Sequence, residues 1–503
     1  MLLVCCVLLL SSVCLLFNYF TRTFNYWKNR NIEGPKPVPF FGNLIESTFR
    51  RAHIANVMKN IYEQFPDKKV VGIYRMTTPC LLIRDLDVIK HVFIKDFDCF
   101  VDRGVEFSKE GLGANLFHSD GETWRALRNR FSPIFTTNKL KNMIYLLTDR
   151  ADKFLEYVNG VVAVQQEQEI HILTQQYTIA TIAACAFGLD AEQFSNETKH
   201  LLCRIDKLIF DLNYAYEIDM MFPGLLKKLN KSLYPAEVSQ FFLDLVKTVI
   251  NERDGVPSGR KDFMDLILEM RQEIDMEQKC ETGDKVAIEL TEGIIAAQAF
   301  SMYAAGYETS ATTLAFLLYQ LALNPTIQDQ VIIEIDSILK KCNGKLTYDE
   351  ITEMKYLERV FDETLRMYPV VDPLQRNAKA DYTIPGTATT IRKGQTVIIP
   401  VLGIHHDEKY YPNPDKFDPD RFGAQAIGDR HPCAYLPFGV GPRNCVGLRF
   451  AKVQSRICII KLLSQFRMEP SKNTTSENME IDPRRFLLCP KGGINLKLVP
   501  RRT

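Results

Sequence analysis

The chain has 503 residues, with 62 Lys and Arg against 61 Asp and Glu and a net charge of +1. That balance excludes the concentrated positive field a nucleic-acid partner demands. Thirteen cysteines, an odd number with no Cys-x-x-Cys, do not read as a disulfide framework or a zinc ribbon and suit a reducing compartment.

Met1 to Phe20 carry no charge, and Arg22, Lys28 and Arg30 follow. About 20 residues at 1.5 Å rise just span a hydrocarbon core of about 30 Å. The positive flank lies on the C-terminal side, which predicts a body kept in the cytoplasm. A removable signal peptide is disfavoured by the missing basic n-region and cleavage site. Residues 1–22 are expected to form an uncleaved transmembrane anchor, leaving the sequons at Asn196, Asn230 and Asn473 unmodified. Residues 23–40 read as a basic, Pro-rich linker, because Gly34-Pro35-Lys36-Pro37-Val38-Pro39 fixes φ three times and gives a stiff spacer.

Val70 to Tyr74 and Cys80 to Ile83 read as a hairpin, and Ile391 and Thr396-Val397-Ile398-Ile399 about Lys393-Gly394 as a second. Elsewhere the periodicity is helical, broken at Asn324-Pro325 and Tyr368-Pro369. The predicted class is mainly α with a small β region. Its longest helix, from about Thr291 to Asn324, would cross about 50 Å. Apolar residues such as Ile295, Phe300 and Phe316 place it in the middle of a globular body, while Glu292 and Glu308 disfavour a second membrane span. The segment from Phe210 to Leu233, with Tyr214, Tyr216, Met220, Met221, Phe222, Leu225 and Leu226, is rich enough in apolar side chains for membrane or ligand contact. Core packing explains it equally well.

The most informative run is Phe438-Gly439-Val440-Gly441-Pro442-Arg443-Asn444-Cys445-Val446-Gly447. Three glycines let the backbone turn tightly and approach a flat ligand, while Pro442 stiffens the turn. A thiol binds metal as a thiolate, so it needs positive potential, which Arg443 and backbone N–H groups could supply. The plainer alternative is an inert buried cysteine. On the long helix, Ala304-Ala305-Gly306-Tyr307-Glu308-Thr309-Ser310 joins small residues to an acid and two hydroxyls. Gly306 costs about 1 kcal/mol relative to Ala and asks for a reason, such as close approach of a cofactor or a widened helix. Thr309 and Glu308 could then relay protons, or Thr309 could merely bond back to a carbonyl one turn earlier. Glu363 and Arg366 stand at i and i+3 before Pro369, and Trp124 and Arg128 at i and i+4. A zinc site from His405, His406, His431 and Cys433 is disfavoured, since adjacent histidines point apart.

The loop resembles the haem-binding segment of the cytochrome P-450 family, Phe-x-x-Gly-x-Arg-x-Cys-x-Gly, with Phe438, Gly441, Arg443, Cys445 and Gly447 in the fixed positions. Ala305, Gly306, Glu308, Thr309 and Ser310 match its oxygen-activation motif, and Glu363-x-x-Arg366 its Glu-x-x-Arg signature. The resemblance implies the P-450 fold, with residues 41–503 as a haem-thiolate catalytic domain. It makes Cys445 the axial ligand of haem b and puts Phe438 and Gly439 against the cofactor. Trp124, Arg128, Arg376 and Arg443 take propionate positions, Thr309 and Glu308 are catalytic, and Glu363, Arg366 and Arg421 form a structural network. It further implies the animal microsomal, xenobiotic-metabolising group, of insect type, seated in the endoplasmic reticulum membrane with its catalytic domain on the cytosolic face. Electrons would come from NADPH through a separate cytochrome P-450 reductase, with cytochrome b5 as a second donor, because the roughly 55 residues after the loop hold no flavin domain. Arg125, Lys139, Arg449 and Lys452 are expected to form a basic docking face. The rival function is a haem-thiolate sensor or carrier that never turns over.

Overall fold

The computed structural model describes residues 2–501 except 105–110, 190–204, 213, 223, 230, 232–233, 281–288 and 475–478; the side chains of 216, 227 and 274–280 also fall outside the description. The sequon at Asn196 and the last residues of the other two lie outside the described residues, as does the side chain of Tyr216.

Helix α1 (Leu2–Thr21) is apolar and long enough to cross a membrane. Its last turn packs on the body, with Phe20 buried 4.6 Å from the ring of Phe40 and 6.2 Å from that of Phe222. The Pro-rich stretch that follows lies against the first strand. Trp27 is buried and donates its indole N–H to the carbonyl of Ile73, and the carbonyl of Glu33 accepts from Gly72 N–H. A Cβ on Gly72 would sit 2.4 Å from the Trp27 ring, so glycine makes the docking possible.

After α2 (Ile54–Gln64) come β1 (Val70–Arg75) and β2 (Thr78–Ile83), paired antiparallel from Val70 opposite Ile83 to Arg75 opposite Thr78, as expected for the first hairpin. Then follow α3 (Gly121–Phe131), α4 (Thr137–Val164), β3 (Glu167–Glu169), α5 (Ile170–Ile182), α6 (Ala215–Met221), α7 (Ala236–Glu252) and α8 (Phe263–Cys280). The long central helix α9 covers Glu292–Leu323. Thr291 caps it by accepting from Ile294 N–H, and Pro325 ends it by opening α10 (Pro325–Lys341). Helix α11 (Lys355–Met367) precedes β4 (Leu374–Asn377), β5 (Tyr382–Thr383), β6 (Thr390–Ile391) and β7 (Thr396–Ile399). Helices α12 (Val401–His405) and α13 (Leu448–Gln465) then lead to β8 (Phe466–Pro470) and β9 (Asn495–Pro500).

The second expected hairpin is not formed. Strand β7 lies between β2, parallel, and β4, antiparallel, in the order β1-β2-β7-β4, while β6 pairs with β5. Lys393-Gly394 is a turn, but its backbone bonds run elsewhere: Asp381 accepts from Lys393 N–H and the carbonyl of Ala378 from Gly394 N–H. Strand β7 is buried along its whole length, which suits a central strand better than one arm of an exposed hairpin. One apolar core gathers the helices around α9, and a second lies beneath the four-stranded sheet.

The apolar segment after Phe210 divides by environment. Phe210 is buried against Tyr307 of α9, whereas Tyr214, Ile218, Phe222 and Leu229 are exposed, with Phe222 lying against Tyr19 and Phe20 at the end of α1.

Candidate functional site

The Cys445 loop is closed by its own backbone. Cys445 N–H donates to the carbonyl of Phe438, and Gly439 N–H to that of Leu436. Gly439 and Gly441 have φ of +67° and +77°, in the left-handed region where a Cβ is penalised. At Gly441 the space is closed as well, since a Cβ would lie 1.9 Å from the carbonyl oxygen of Phe93. Gly447 opens α13 and turns its N–H toward the sulfur. Phe438 is half-buried against the main core.

Cys445 lies deep among protein atoms yet keeps exposed surface, the combination expected of a residue on the wall of an interior cavity. Ala305, in the middle of α9, is exposed in the same sense between buried Tyr303 and Tyr307. Burial pushes the Cys445 thiol up. The Gly447 N–H, Arg128 and Arg103 act in the opposite direction, so the helpful cations are these two and not Arg443, as sequence proximity suggested.

Four guanidiniums share this interior. Arg376 lies over the Phe93 ring at 4.4 Å and is pushed down to about 9 by burial and by Arg443. Arg443 lies 5.0 Å from the Trp124 ring centroid, donates to the carbonyls of Val101, Phe117 and Ser119, and is pushed down to about 10, again mainly by burial. Arg128, one turn after Trp124 on α3, grips Asn444, the residue before the cysteine, through its carbonyl at 2.9 Å and its Oδ1 at 2.8 Å. Arg103, which no sequence motif marked, is held well below its usual range by burial and then by the charges of Arg443 and Arg376. Nε of both Arg376 and Arg443 is buried without a partner. Cations crowded together beside a thiol, with two donors to spare, fit a metal-bearing group that carries carboxylates.

Helix α9 presents two different faces. On one, Ala305 is exposed and Thr309 half-buried, and the Thr309 hydroxyl donates to the carbonyl of Ala305 at 2.6 Å along an unbroken α-helix. The expected reason for Gly306 changes here, for a Cβ would meet Ile182 Cδ1 at 2.4 Å, so the glycine is a notch for α5. Glu308 faces that seam too and is fully buried. It accepts from Gln175 at 2.7 Å and Arg485 at 2.8 Å, and lies 3.3 Å from His171 Nε2. Burial alone would raise its carboxyl, but His171, Arg485 and Gln175 hold it below the usual range.

Behind the loop, Arg366 is fully buried and bidentate to Glu363 at 2.7 and 2.9 Å. It also donates to the carbonyls of His405 and Pro414. Arg421 Nε lies 3.5 Å from Glu363, and Asp418 N–H donates to the same carboxylate. His405 Nε2 accepts from Leu436 N–H, so its Nδ1 carries the proton and donates to the carbonyl of Arg366. The imidazole thus joins α11 to the strand of chain entering the Cys445 loop, a role the sequence did not signal. His406 instead bonds Leu402 and His431 caps Cys433, and no cluster able to hold a metal ion occurs among the described residues.

The basic face is less free than its sequence suggested. Lys452 is tied to Asp362 and Glu358, Lys139 to Glu269, and Arg125 to Asp98, whereas Arg449 is exposed.

Residues 32–498 match the Cytochrome P450 family. The chain is 57% identical over 487 residues to cytochrome P450 6B2 of Helicoverpa armigera, covering 97% of this chain and 96% of that one. It is 56% identical over 489 residues to cytochrome P450 6B1 of Papilio polyxenes, covering 97% of each, and 36% identical over 501 residues to probable cytochrome P450 6a20 of Drosophila melanogaster, covering 98% of each. With a closed cysteine loop, guanidiniums gathered beside its thiol and a long central helix, the chain belongs to the cytochrome P450 family and is a monooxygenase of its insect 6B group.

Proposed function

We propose that this monooxygenase inserts one oxygen atom from dioxygen into lipophilic small molecules, xenobiotics or endogenous lipids, at a haem b ligated by Cys445. The observation that carries the reading is the interior where one thiol and four guanidiniums meet. When bound, haem with a thiolate ligand supplies oxygen activation.

The chain's own residues set the conditions for that chemistry. Gly447 N–H, Arg128 and Arg103 stabilise negative charge on the sulfur. Arg376 and Arg443 would hold the propionates through donors that are otherwise orphaned. Phe438 and Gly439 would flank the ring, and Trp124 buttresses Arg443. Ala305 keeps bulk out of the cavity. Thr309 and Glu308 hold the groups that deliver protons, one at the cavity wall and one at the seam behind it. Glu363, Arg366, Arg421 and His405 keep the loop in place.

Helix α1 and the kinship with insect relatives suggest an anchor in the endoplasmic reticulum membrane. In this reading the catalytic part faces the cytosol, and NADPH cytochrome P-450 reductase, with cytochrome b5, supplies electrons near exposed Arg449. Exposed Tyr214, Ile218 and Phe222, the last against the end of α1, offer an apolar surface where a lipophilic substrate would arrive.

The test is the reduced carbon monoxide difference spectrum, together with oxidation of a lipophilic probe panel by NADPH and reductase. Wild type is expected to show the thiolate-type Soret band and form product, and Cys445→Ser to lose both while keeping its helical circular dichroism. A band without any product would leave a sensor or carrier; a band retained by Cys445→Ser would remove the ligand assignment.

A further inference from the structure

The seam between α5 and α9 surrounds Glu308 with partners that the oxygenase reading leaves unused. Three side chains touch the Glu308 carboxylate among the described residues: Gln175, Arg485 and His171. An amide does not titrate, and a guanidinium does not surrender its proton in a protein. Only the imidazole can exchange a proton with Glu308 near neutral pH. His171 Nε2 lies 3.3 Å from both Glu308 Oε1 and Thr312 Oγ1, and its side chain is 15% exposed where that of Glu308 is 0%. It therefore reaches from the edge of the seam to the buried acid.

The geometry points to His171 as the residue that recharges Glu308 with protons, placing the proton intake of this enzyme at the α5–α9 seam. The inference rests on the monooxygenase reading and acts through Glu308. In the step, the Nε2–H bond of the imidazolium breaks, an O–H bond forms on Glu308, and the neutral imidazole regains a proton from a solvent hydronium ion, which leaves as water. Arg485 keeps the acid placed: it also pairs with Asp206 and Asp211, and Tyr307 donates to Asp206. The charged and titratable groups facing His171 are Glu308 from α9, Arg485 from the C-terminal segment and Glu169 at its own helix start, with Cys489 behind Arg485. Burial pulls the imidazole down, and the bond and charge of Glu308 more than offset this, so it sits above the ordinary histidine range.

Two measurements on the full-length, haem-loaded protein decide the matter. The first is a histidine-labelled NMR titration in which His171→Asn assigns one of the eight histidine signals. The His171 ring should titrate above about 6.5 in wild type and lower in Glu308→Gln, where the main offset to burial is gone and Glu169 alone remains. A signal that does not move in Glu308→Gln overturns the pairing. The second is product formed per NADPH consumed, against pH. Wild-type coupling should fall as pH rises through the His171 titration, because the neutral ring has no proton to give. His171→Asn, which keeps a polar side chain but cannot titrate, should lose that limb and about tenfold in coupled turnover with its carbon monoxide band intact. A His171→Asn profile matching wild type overturns the intake role. If wild type forms no product at all, the monooxygenation reading fails instead, and the NMR titration still decides whether His171 and Glu308 share a proton.

Discussion

Alanine substitutions at Gly439 and Gly441 separate backbone conformation from space. Both residues have positive φ, so each substitution incurs about 1–2 kcal/mol for a side chain in the left-handed region. At Gly439 the nearest atom to a new Cβ is Asn444 Cα at 3.8 Å, an ordinary contact. At Gly441 it is the Phe93 carbonyl oxygen at 1.9 Å, so one backbone segment must move, at a further cost of about 1–3 kcal/mol. Gly439→Ala is thus expected to lose about 1–2 kcal/mol and Gly441→Ala about 2–5 kcal/mol, a large share of the 5–15 kcal/mol that holds a typical domain folded. Displacing Phe93 also disturbs Arg376, whose guanidinium rests on that ring. Denaturant unfolding of the haem-loaded variants measures the first effect, and the amplitude of the thiolate-type carbon monoxide band measures the second. Equal losses in the two variants would refute the steric argument and leave only conformation.

Arg366→Met should destabilise by about 3–5 kcal/mol, because it leaves the Glu363 carboxylate buried without its partner; unfolding within about 1 kcal/mol of wild type would show that Asp418 and Arg421 suffice. Acid sensitivity should come from buried neutral histidines: burial pushes His53 and His406 down to about 4 and His405 well below its usual range. Because the unfolded chain takes up these protons first, stability is complete above about pH 6.5 and falls on acidification toward pH 4, by up to about 1.4 kcal/mol per pH unit for each histidine. The unfolding midpoint followed from pH 7 to 4.5 should show this slope, and His53→Asn, which keeps an acceptor for Ala55 N–H, should make it shallower. An unchanged slope in that variant would remove His53 from the account.

Local rules made the long helix legible. Thr291 and Pro325 are cap and stop signals whose physics is confined to neighbouring residues, and the observed ends fall beside the expected ones. The Cys445 loop was equally readable, since its glycines, its turn and its thiol lie within ten residues. What failed depended on distant partners. Strand β7 looked like one arm of a hairpin until β2 and β4, hundreds or tens of residues away, took its edges. Gly306 looked like room for a cofactor because the sequence cannot show Ile182 filling the notch. His405 looked like a weak metal candidate because its partners, Arg366 and Leu436, are 39 and 31 residues away. Arg103 carried no local signal at all, and only the tertiary fold brings it into the range of Cys445.

The interlock of Gly306 with Ile182, continued by the bond from Thr174 to the Ala311 carbonyl and by His171 at Glu308, has a consequence for how such a protein can diversify. Those contacts mesh α5 with α9 over more than one turn, so a change at any one of them is felt by its partner across the seam. Among the described residues, no hydrogen bond ties the side chains of Ala305 and Thr309 to α5. Variation at Ala305 can therefore reshape the neighbouring space while the seam holds α9 in register and keeps the Thr309 hydroxyl in place.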